Sequence, residues 1–297
     1  MALILSVLEQ GLIYGVMALG VYITYKILDF PDLTVDGSFP MGAAIAAVMI
    51  TKGMHPLLTL FASFAAGGAA GMLTGIIHVK LKVRDLLSGI IMMTALYTVN
   101  LRVAQKANVP LYNKETVFEN ELTRRLFGPL ESAAPLIVIA ILTVIIKYLL
   151  DWYLSTQSGY LLRAAGDNDT FVTSMGVEKG RVKIIGLAIA NGLAALGGCL
   201  FAQQQRFFDI SMGTGTVVIG LASVIIGTSL LKKASFLRVT SSVVLGSVLY
   251  KACVASALRY MKVINLQSKD LKLVTSVLFL MILVIAQERK KKVRKNA

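Results

Sequence analysis

The chain is poor in charged residues, which make up only 15% of its 297 positions. Soluble domains carry about a quarter charged residues, so the composition argues against an ordinary water-soluble fold. The sequence also has only two cysteines and two histidines. Cys199 and Cys253 lie in apolar runs without zinc or redox spacing, and no carboxylate is spaced to complete a metal site with His55 or His78. We therefore expect no bound metal.

Catalytic and nucleotide-binding motifs are missing as well. No serine, cysteine and histidine arrangement suggests a nucleophile, and no Gly-x-x-x-x-Gly-Lys-Ser/Thr run is present. We expect a protein that is not an enzyme, binds no cofactor directly and cannot bind ATP by that route. The net charge of +14 does not indicate nucleic-acid binding, because the basic residues flank apolar segments and form no solvated basic face.

Long apolar runs dominate what is present. Hydrophobic residues make up 56% of the chain, and the mean hydropathy is +0.73. Several runs reach the roughly 20 residues that a helix needs to cross a bilayer. The sequence therefore predicts an all-α polytopic membrane protein, with residues 1–297 as a single transmembrane domain. We place about nine transmembrane helices at residues 2–28, 29–50, 56–79, 86–103, 134–153, 184–203, 209–231, 240–257 and 271–287.

Two of these predicted spans are broken helices. In span 29–50 the apolar helix begins near Ser38 and has only about 13 residues, so it crosses the bilayer only if its polar lead-in also enters the membrane. Span 209–231 likewise has a polar start before an apolar helix from Val217. Residues 19–46 and 196–226, which include these polar starts, form a faint inverted repeat in the predicted topology, which is a feature of transporters. The alternative is that Gly- and Ala-rich spans resemble each other by composition.

Residues 158–183 form a polar island between apolar runs. An irregular polar loop lies outside the hydrocarbon, because lipid would leave its backbone groups unsatisfied. Asp167 or Asp169 is suited to N-cap a short helix, and Gly176 sits where a left-handed C-cap residue belongs. A capped helix of about two turns, held between spans, is suited to dock into another protein.

Several motifs, in order along the chain, resemble those of ATP-driven importer permeases of the branched-chain amino acid and ribose type. The motifs are Ala165-Gly166-x-Asn168, Gly176-Val177, Arg181-Val182-Lys183, Gly192-Leu193-x-Ala195-Leu196-x-Gly198, Ala222-x-Val224-Ile225-Ile226-Gly227-Thr228-Ser229-Leu230, and Asp29 to Ala44 with Gly37 and Gly42-Ala43-Ala44. They cover most of the chain from Gly11 to Leu231.

The resemblance implies the permease subunit of a binding-protein-dependent importer in the plasma membrane. Such a permease works as a dimer, here a homodimer, with two ATPase subunits that hydrolyse ATP and an extracytoplasmic solute-binding protein. The implied solute is small and polar, with amino acids ahead of sugars or nucleosides, and the resemblance suggests the aromatic amino acid subgroup. The residues expected to couple the ATPase to the spans are Arg163, Gly166, Asp167, Asn168, Asp169, Phe171, Met175 and Gly176.

The candidate pathway or gate residues are polar side chains in or near the spans. They are Asp29, Asp32, Asp36, Asn100, Asn191 and Gln203. The three acids either line the inner gate or anchor the broken helix, or else they cap the helix that begins near Ser38 and face cytoplasmic water; we favour capping. For the amides we favour interhelical hydrogen bonds over substrate contact.

The basic residues predict the orientation. With the amino terminus outside and nine spans, more than half of the 30 Lys and Arg residues fall on the cytoplasmic side. The coupling island and the basic tail 288–297 are then cytoplasmic, and the tail lies along anionic headgroups. Two other functions stay open: an ion-gradient-driven secondary transporter with Asp36 in its site, and a structural membrane subunit without transport.

Overall fold

The computed structural model describes residues 2–120, 133–167, 176–230, 238–261 and 275–284, together with Thr123, Arg125, Thr173 and Leu273. These residues form α1 (Ala2–Val21), α2 (Val35–Thr51), α3 (Pro56–Lys80), α4 (Asp85–Ala104), α5 (Ala134–Leu154), α6 (Gln157–Asp167), α7 (Lys179–Gln205), α8 (Thr216–Leu230), α9 (Val239–Met261) and α10 (Thr275–Val284). A π-helical stretch, Tyr22–Ile27, continues α1, and a 3₁₀-helix, Ile210–Gly213, precedes α8.

Seven helical segments in the described part are long and apolar enough to cross a membrane. They are Ile4–Ile27, Pro56–Lys80, Asp85–Ala104, Ala134–Leu154, Lys179–Gln205, Ile210–Ser229 and Val239–Ala257. The predicted all-α polytopic architecture is therefore confirmed. The predicted count of nine spans stays a prediction, because α2 has only 17 residues and the last span is described only around α10.

Helix α7 lies at the centre of the fold, and 72% of its apolar 18-residue stretch is buried. Its many small residues let neighbouring backbones approach closely. A Cβ atom at Gly42 of α2 would overlap the carbonyl oxygen of Ala195, and a Cβ at Gly198 of α7 would overlap that of Phe39. Helix α2 is thus held in direct backbone contact with the central helix.

Helix α1 packs against α7 and α9. The Ser247 hydroxyl of α9 donates a hydrogen bond of 2.8 Å to the Gly11 carbonyl of α1. An aromatic cluster joins α1 to α2 and α7: the Tyr14 ring stacks on Phe39 at 5.6 Å and meets the edge of Phe201 at 5.3 Å. Helices α8 and α9 pack on each other and on α1.

A small antiparallel sheet joins two connections that lie about 100 residues apart. Strand β1 (Asn108–Pro110) pairs with β2 (Phe207–Asp209), and Asn108 lies opposite Asp209. The Gln203 amide oxygen accepts from the Val117 backbone at 2.9 Å, which fixes the loop after β1. An Arg206–Glu119 ion pair also connects the two segments. The sequence did not predict this sheet.

Asp209 organises the turn between β2 and the 3₁₀-helix, just before the candidate span Ile210–Ser229. Its carboxylate accepts hydrogen bonds from the Ser211 backbone at 2.8 Å and from the Ser211 hydroxyl. Partial burial acts to raise the pKa of Asp209, but donation by Ser211 and Asn108 outweighs it, so the pKa lies below its usual value.

Candidate functional site

The start of α2 is a buried polar junction. The chain leaves the π-helix and runs irregularly until the Thr34 backbone donates to the Asp32 carboxylate at 2.8 Å. This bond lets the helix begin at Val35, three residues before the predicted start near Ser38. The Thr34 hydroxyl shares a 2.9 Å hydrogen bond with the Thr74 hydroxyl of α3.

Asp32 also binds the central helix. The Asn191 amide donates to the second Asp32 carboxylate oxygen at 2.7 Å, and the Asn191 oxygen accepts from the Ser38 hydroxyl at 2.8 Å. Asp32 is 5% exposed, and Asn191 and Ser38 are fully buried. Within the described residues Asp32 forms no ion pair, so hydrogen-bond donors alone hold its carboxyl group.

Asp36 caps a different helix from its own. It lies in the first turn of α2, and its carboxylate accepts from the Val217 backbone at 2.8 Å, the Thr216 hydroxyl at 2.8 Å and the Gly215 backbone at 3.1 Å. These donors form the amino-terminal end of α8, where the helix dipole favours a negative charge. The amino-terminal ends of α2 and α8 therefore meet at this one half-buried carboxylate.

Asn100 brings α4 to the same junction. Its amide nitrogen donates to the Gly37 carbonyl at 3.0 Å. The side chain is fully buried, yet its oxygen has no hydrogen-bond partner within the described residues. Asn100, Asn191, Asp32 and Asp36 thus surround the first turn of α2.

Two predicted pathway residues lie elsewhere. Gln203 donates to the Thr59 hydroxyl at 3.0 Å and, as described, accepts from the loop after β1. Asp29 is exposed and has a left-handed backbone, with φ of 50°. The prediction that Asp29 caps the helix near Ser38 is wrong, because the chain turns at Asp29 and α2 begins six residues later.

The coupling island begins with a helix that the sequence did not predict. Helix α6 ends at Asp167, so this residue closes one helix whether or not it caps another. Gly166 lies against the end of the π-helix, where a Cβ would overlap the carbonyl oxygen of Ile27. Arg163 and Asp167 are exposed.

The short helix predicted after α6 lies outside the described residues, as do Asn168, Asp169, Phe171 and Met175. Gly176 follows it with φ of +74°, the left-handed conformation expected of a C-cap residue. Its amide donates to the Thr173 carbonyl at 3.1 Å.

Sequence reasoning missed a second charged cluster, around Asp151 at the end of α5. Lys147 lies 2.9 Å from its carboxylate, Arg238 lies 3.2 Å away, and the Thr240 hydroxyl donates at 2.6 Å. The cluster ties α5 to the start of α9. The four-residue spacing of Lys147 and Asp151 places both side chains on one helix face, so this ion pair could have been predicted from the sequence.

The described residues contain no group of three or more His, Cys, Asp or Glu side chains placed to hold a metal ion. Each histidine has a local contact. His55 accepts from the Leu57 backbone at the start of α3, and the His78 ring forms a 2.9 Å hydrogen bond with the Val83 carbonyl.

Seven apolar helical segments long enough to cross a membrane, with a buried polar junction among them, indicate a multi-pass membrane protein. The family model described as branched-chain amino acid transport system / permease component matches residues 3–286. The chain belongs to this family, and it is a permease subunit of a binding-protein-dependent ABC importer for small solutes. It is a multi-pass plasma-membrane protein that works with ATPase and binding-protein partners.

The relatives agree with this assignment. The chain is 43% identical to a tyrosine transport system permease protein of Clostridioides difficile (strain R20291), over 93% of this chain and 89% of that one. It is 36% identical to an uncharacterized Rickettsia prowazekii protein, over 76% and 77% of the two chains. The ribose import permease protein of Escherichia coli (strain K12) is 25% identical, over 75% and 68%. No solved structure gives a significant match.

Proposed function

We propose that the solute is an amino acid with an aromatic side chain, and that tyrosine is the first candidate. The supporting observation is the 43% identity with the tyrosine permease over 93% of this chain. The match to the ribose permease is weaker in identity and coverage, at 25% over 75%. Sugars and nucleosides are therefore the less favoured solutes.

The assembly that we propose has two identical permease chains, two cytoplasmic ATPases and one solute-binding protein outside. The amino terminus lies outside and the carboxyl-terminal tail lies in the cytoplasm. ATP is hydrolysed only by the ATPases, and the permease itself carries out no chemical step and binds no cofactor. The basic-residue bias supports this orientation.

The segment 158–183 receives the movement of the ATPase in this proposal. Contact between α6 and the end of the π-helix supports a route into the membrane, since Gly166 leaves no gap at the Ile27 carbonyl. Asp32 follows Ile27 by five residues and binds the central helix at Asn191. A displacement of α6 is therefore transmitted to the polar junction through the short segment from Ile27 to Asp32.

The junction itself is the proposed gate. Asp36 bridges α2 and α8, and the buried Asn100 oxygen offers an acceptor without a partner among the described residues. Hydrogen bonds that join two broken helices can exchange between two arrangements, as alternating access requires. Gln203 lies outside the gate, where its side chain joins α7 to α3 and to the loop after β1. Asp29 lies at the turn between the π-helix and the start of α2.

Reconstitution tests the function directly. The chain is placed in proteoliposomes with its ATPase, and ATP hydrolysis and uptake of labelled tyrosine are measured with and without the binding protein. We expect both rates to rise when the binding protein and tyrosine are present together. Tyrosine uptake by the chain alone, driven by a proton or sodium gradient, would instead establish a secondary transporter.

Gly176 tests the coupling segment. In the Gly176→Val variant a β-branched residue must adopt φ of +74°, which strains the end of the predicted docking helix. We expect tyrosine uptake to fall at least about tenfold while the permease still inserts, because about 1–3 kcal/mol of strain shifts the docked conformation.

Gly53→Val is the matched control. Gly53 also has positive φ, +79°, and open space around its Cα, but it lies in the turn between α2 and α3. Its variant carries the same backbone strain without touching the coupling segment. Equal loss of uptake in both variants would refute a specific role for Gly176.

A further inference from the structure

One exposed surface of the described chain takes no part in the proposed gate or coupling segment. It consists of residues 102–119, from the end of α4 through the loop after β1, and residues 206–209, which include β2. We call this surface the outer platform, because it faces the outside in the proposed orientation. It is therefore accessible to a partner that approaches from outside the cell.

Hydrogen bonds and a buried apolar cluster hold the outer platform together. The Leu111 amide donates to the Arg206 carbonyl at 2.8 Å, and the Val117 amide donates to the Gln203 side chain at 2.9 Å. The cluster underneath joins α2, α4, the loop after β1 and β2, through Ile50, Ala104, Leu111 and Phe208. The outer platform is therefore one ordered surface, whose backbone is fixed before any partner binds.

A tight turn presents Tyr112 on this surface. The Lys114 amide donates to the Leu111 carbonyl at 3.3 Å, which closes a four-residue turn, and Asn113 has the left-handed φ of 59° that asparagine tolerates. Tyr112 is 66% exposed, although its neighbour Leu111 is fully buried. A tyrosine supplies a large amphipathic contact surface with few rotatable bonds, so it is enriched among the residues that dominate protein interfaces.

The charges that the outer platform leaves unpaired are mainly positive. Three exposed basic residues form no ion pair among the described residues: Arg102, Lys106 and Lys114. Two of the acids are engaged, because Glu119 pairs with Arg206 and Asp209 accepts from Ser211. The remaining acid, Glu115, is exposed and offsets only one of the three basic charges. The surface is thus complementary to an acidic face on a partner.

These side chains lie within the footprint of one protein partner. Arg102 and Lys106 are each two residues from Ala104, so their Cα atoms lie within about 7 Å of it. Tyr112 is next to Leu111, which packs in the same cluster as Ala104. A standard protein interface buries about 800 Å² on each side, a patch roughly 30 Å across. A protein therefore contacts all of them at once, whereas a small solute does not.

We propose that the outer platform is the docking surface for the solute-binding protein, whose acidic face covers the basic residues while the Tyr112 ring is buried at the contact. This docking surface rests on the proposed importer function and adds the residues that recognise the partner. A second copy of the chain fits less well, because a two-fold contact sets like charges against each other. Lipid headgroups carry negative charge, but they are fluid and supply no fixed pocket for a tyrosine ring.

Binding of the importer's solute-binding protein to the intact permease–ATPase complex tests this surface. The complex is embedded in nanodiscs of zwitterionic lipid, and its affinity for the solute-binding protein is measured at low and high ionic strength. The Debye length falls from about 30 Å at 0.01 M to about 3 Å at 1 M. We expect the affinity to fall at least about tenfold between these limits, because exposed charges are screened. An affinity that does not change with salt would overturn the acidic-face assignment.

Variants assign the contact. Tyr112→Ala should weaken binding at least about tenfold at both ionic strengths, as expected for a buried anchor residue. Lys106→Glu should weaken binding at least about threefold at low ionic strength and by less at high ionic strength. The matched controls are Tyr97→Ala, a 52% exposed tyrosine within the candidate span of α4, and Lys80→Glu, an exposed lysine at the end of α3. Both controls should leave the affinity unchanged, and an equal loss in Tyr97→Ala would overturn the role of Tyr112.

Two further measurements identify other occupants. If Lys106→Glu lowers only the retention of phosphatidylglycerol in mixed-lipid nanodiscs and leaves the affinity for the solute-binding protein unchanged, the outer platform binds lipid and the proposal is wrong. If Tyr112→Ala converts the permease from dimer to monomer in detergent with that affinity unchanged, the surface is an interface between copies and the proposal is equally wrong.

The proposed function fails separately from this docking surface. If the binding protein with tyrosine stimulates neither ATP hydrolysis nor uptake by the wild-type importer, the importer function or its solute assignment is wrong. If both rates rise in the wild type and rise equally in Tyr112→Ala, with the same affinity for the binding protein, only the outer platform is wrong.

Discussion

Single residues in this protein act on elements far along the chain. Asp36 is near the start of α2 but caps α8, about 180 residues later. The sequence placed an acid beside a broken helix and therefore predicted a local cap. It could not identify the recipient, because a side chain three to four bonds long reaches whichever helix end the fold brings near.

Asp36 is the residue whose removal should cost most at the junction. The Asp36→Ala variant leaves the first amide groups of α8 without their acceptor, so we expect the free energy of unfolding to fall by about 1–2 kcal/mol. Hydrogen exchange at Gly215 and Val217 should accelerate. Thermal unfolding in detergent and exchange mass spectrometry measure the two effects.

Glu115→Ala is the control for removing an acid, because Glu115 is exposed in the loop after β1. It should leave both measurements unchanged. Unaltered exchange at the start of α8 in the Asp36 variant would contradict the capping role.

At the scale of elements, small residues decide where helices meet. Gly166 lets α6 lie directly on the last carbonyl groups of the π-helix. A methyl group there must displace backbone atoms, and backbone adapts less readily than a flexible side chain.

Gly166→Ala should therefore lower the unfolding free energy by about 1–3 kcal/mol, the typical cost of overpacking, and weaken ATPase stimulation by the binding protein. Gly68→Ala is the comparison. Gly68 is also helical, but the nearest atom to an added Cβ is 3.5 Å away. Gly68→Ala should be neutral or slightly stabilising, because alanine favours helix by up to about 1 kcal/mol over glycine. A similar loss in both variants would count against the close contact.

The sequence predicted the long apolar helices well, because hydropathy and length are local properties. It also located the polar lead-ins of α2 and α8, since they interrupt apolar runs, whereas α2 itself is one continuous helix, Val35–Thr51. It missed the β1–β2 sheet, whose three-residue strands carry no periodic signal and pair only through the fold. It named Asp32 and Asn191 as separate candidates, and their hydrogen bond across 159 residues is visible only in three dimensions.

At the scale of the whole molecule, the proposed orientation assigns a side of the membrane to each loop. Lys80, the last residue of α3, should be cytoplasmic, and Lys114, after β1, should be outside. Both lysines are exposed. Each is replaced by cysteine in a Cys253→Ala background, and buried Cys199 is kept because reagent cannot reach it.

A membrane-impermeant maleimide should label Lys114→Cys in intact cells. Lys80→Cys should react only after permeabilisation. The opposite pattern would invert the orientation and place segment 158–183 out of reach of a cytoplasmic ATPase.

The β1–β2 sheet joins the first half of the chain to the second. The Gly42 and Gly198 contacts hold α2 directly against α7. Backbones in contact cannot slide past each other without breaking that fit. These contacts thus resist sliding of α2 along α7, so movement at the proposed gate falls on the hydrogen bonds between α2 and α8. In the assembly that we propose, the passage for solute then lies along the interface between two such chains.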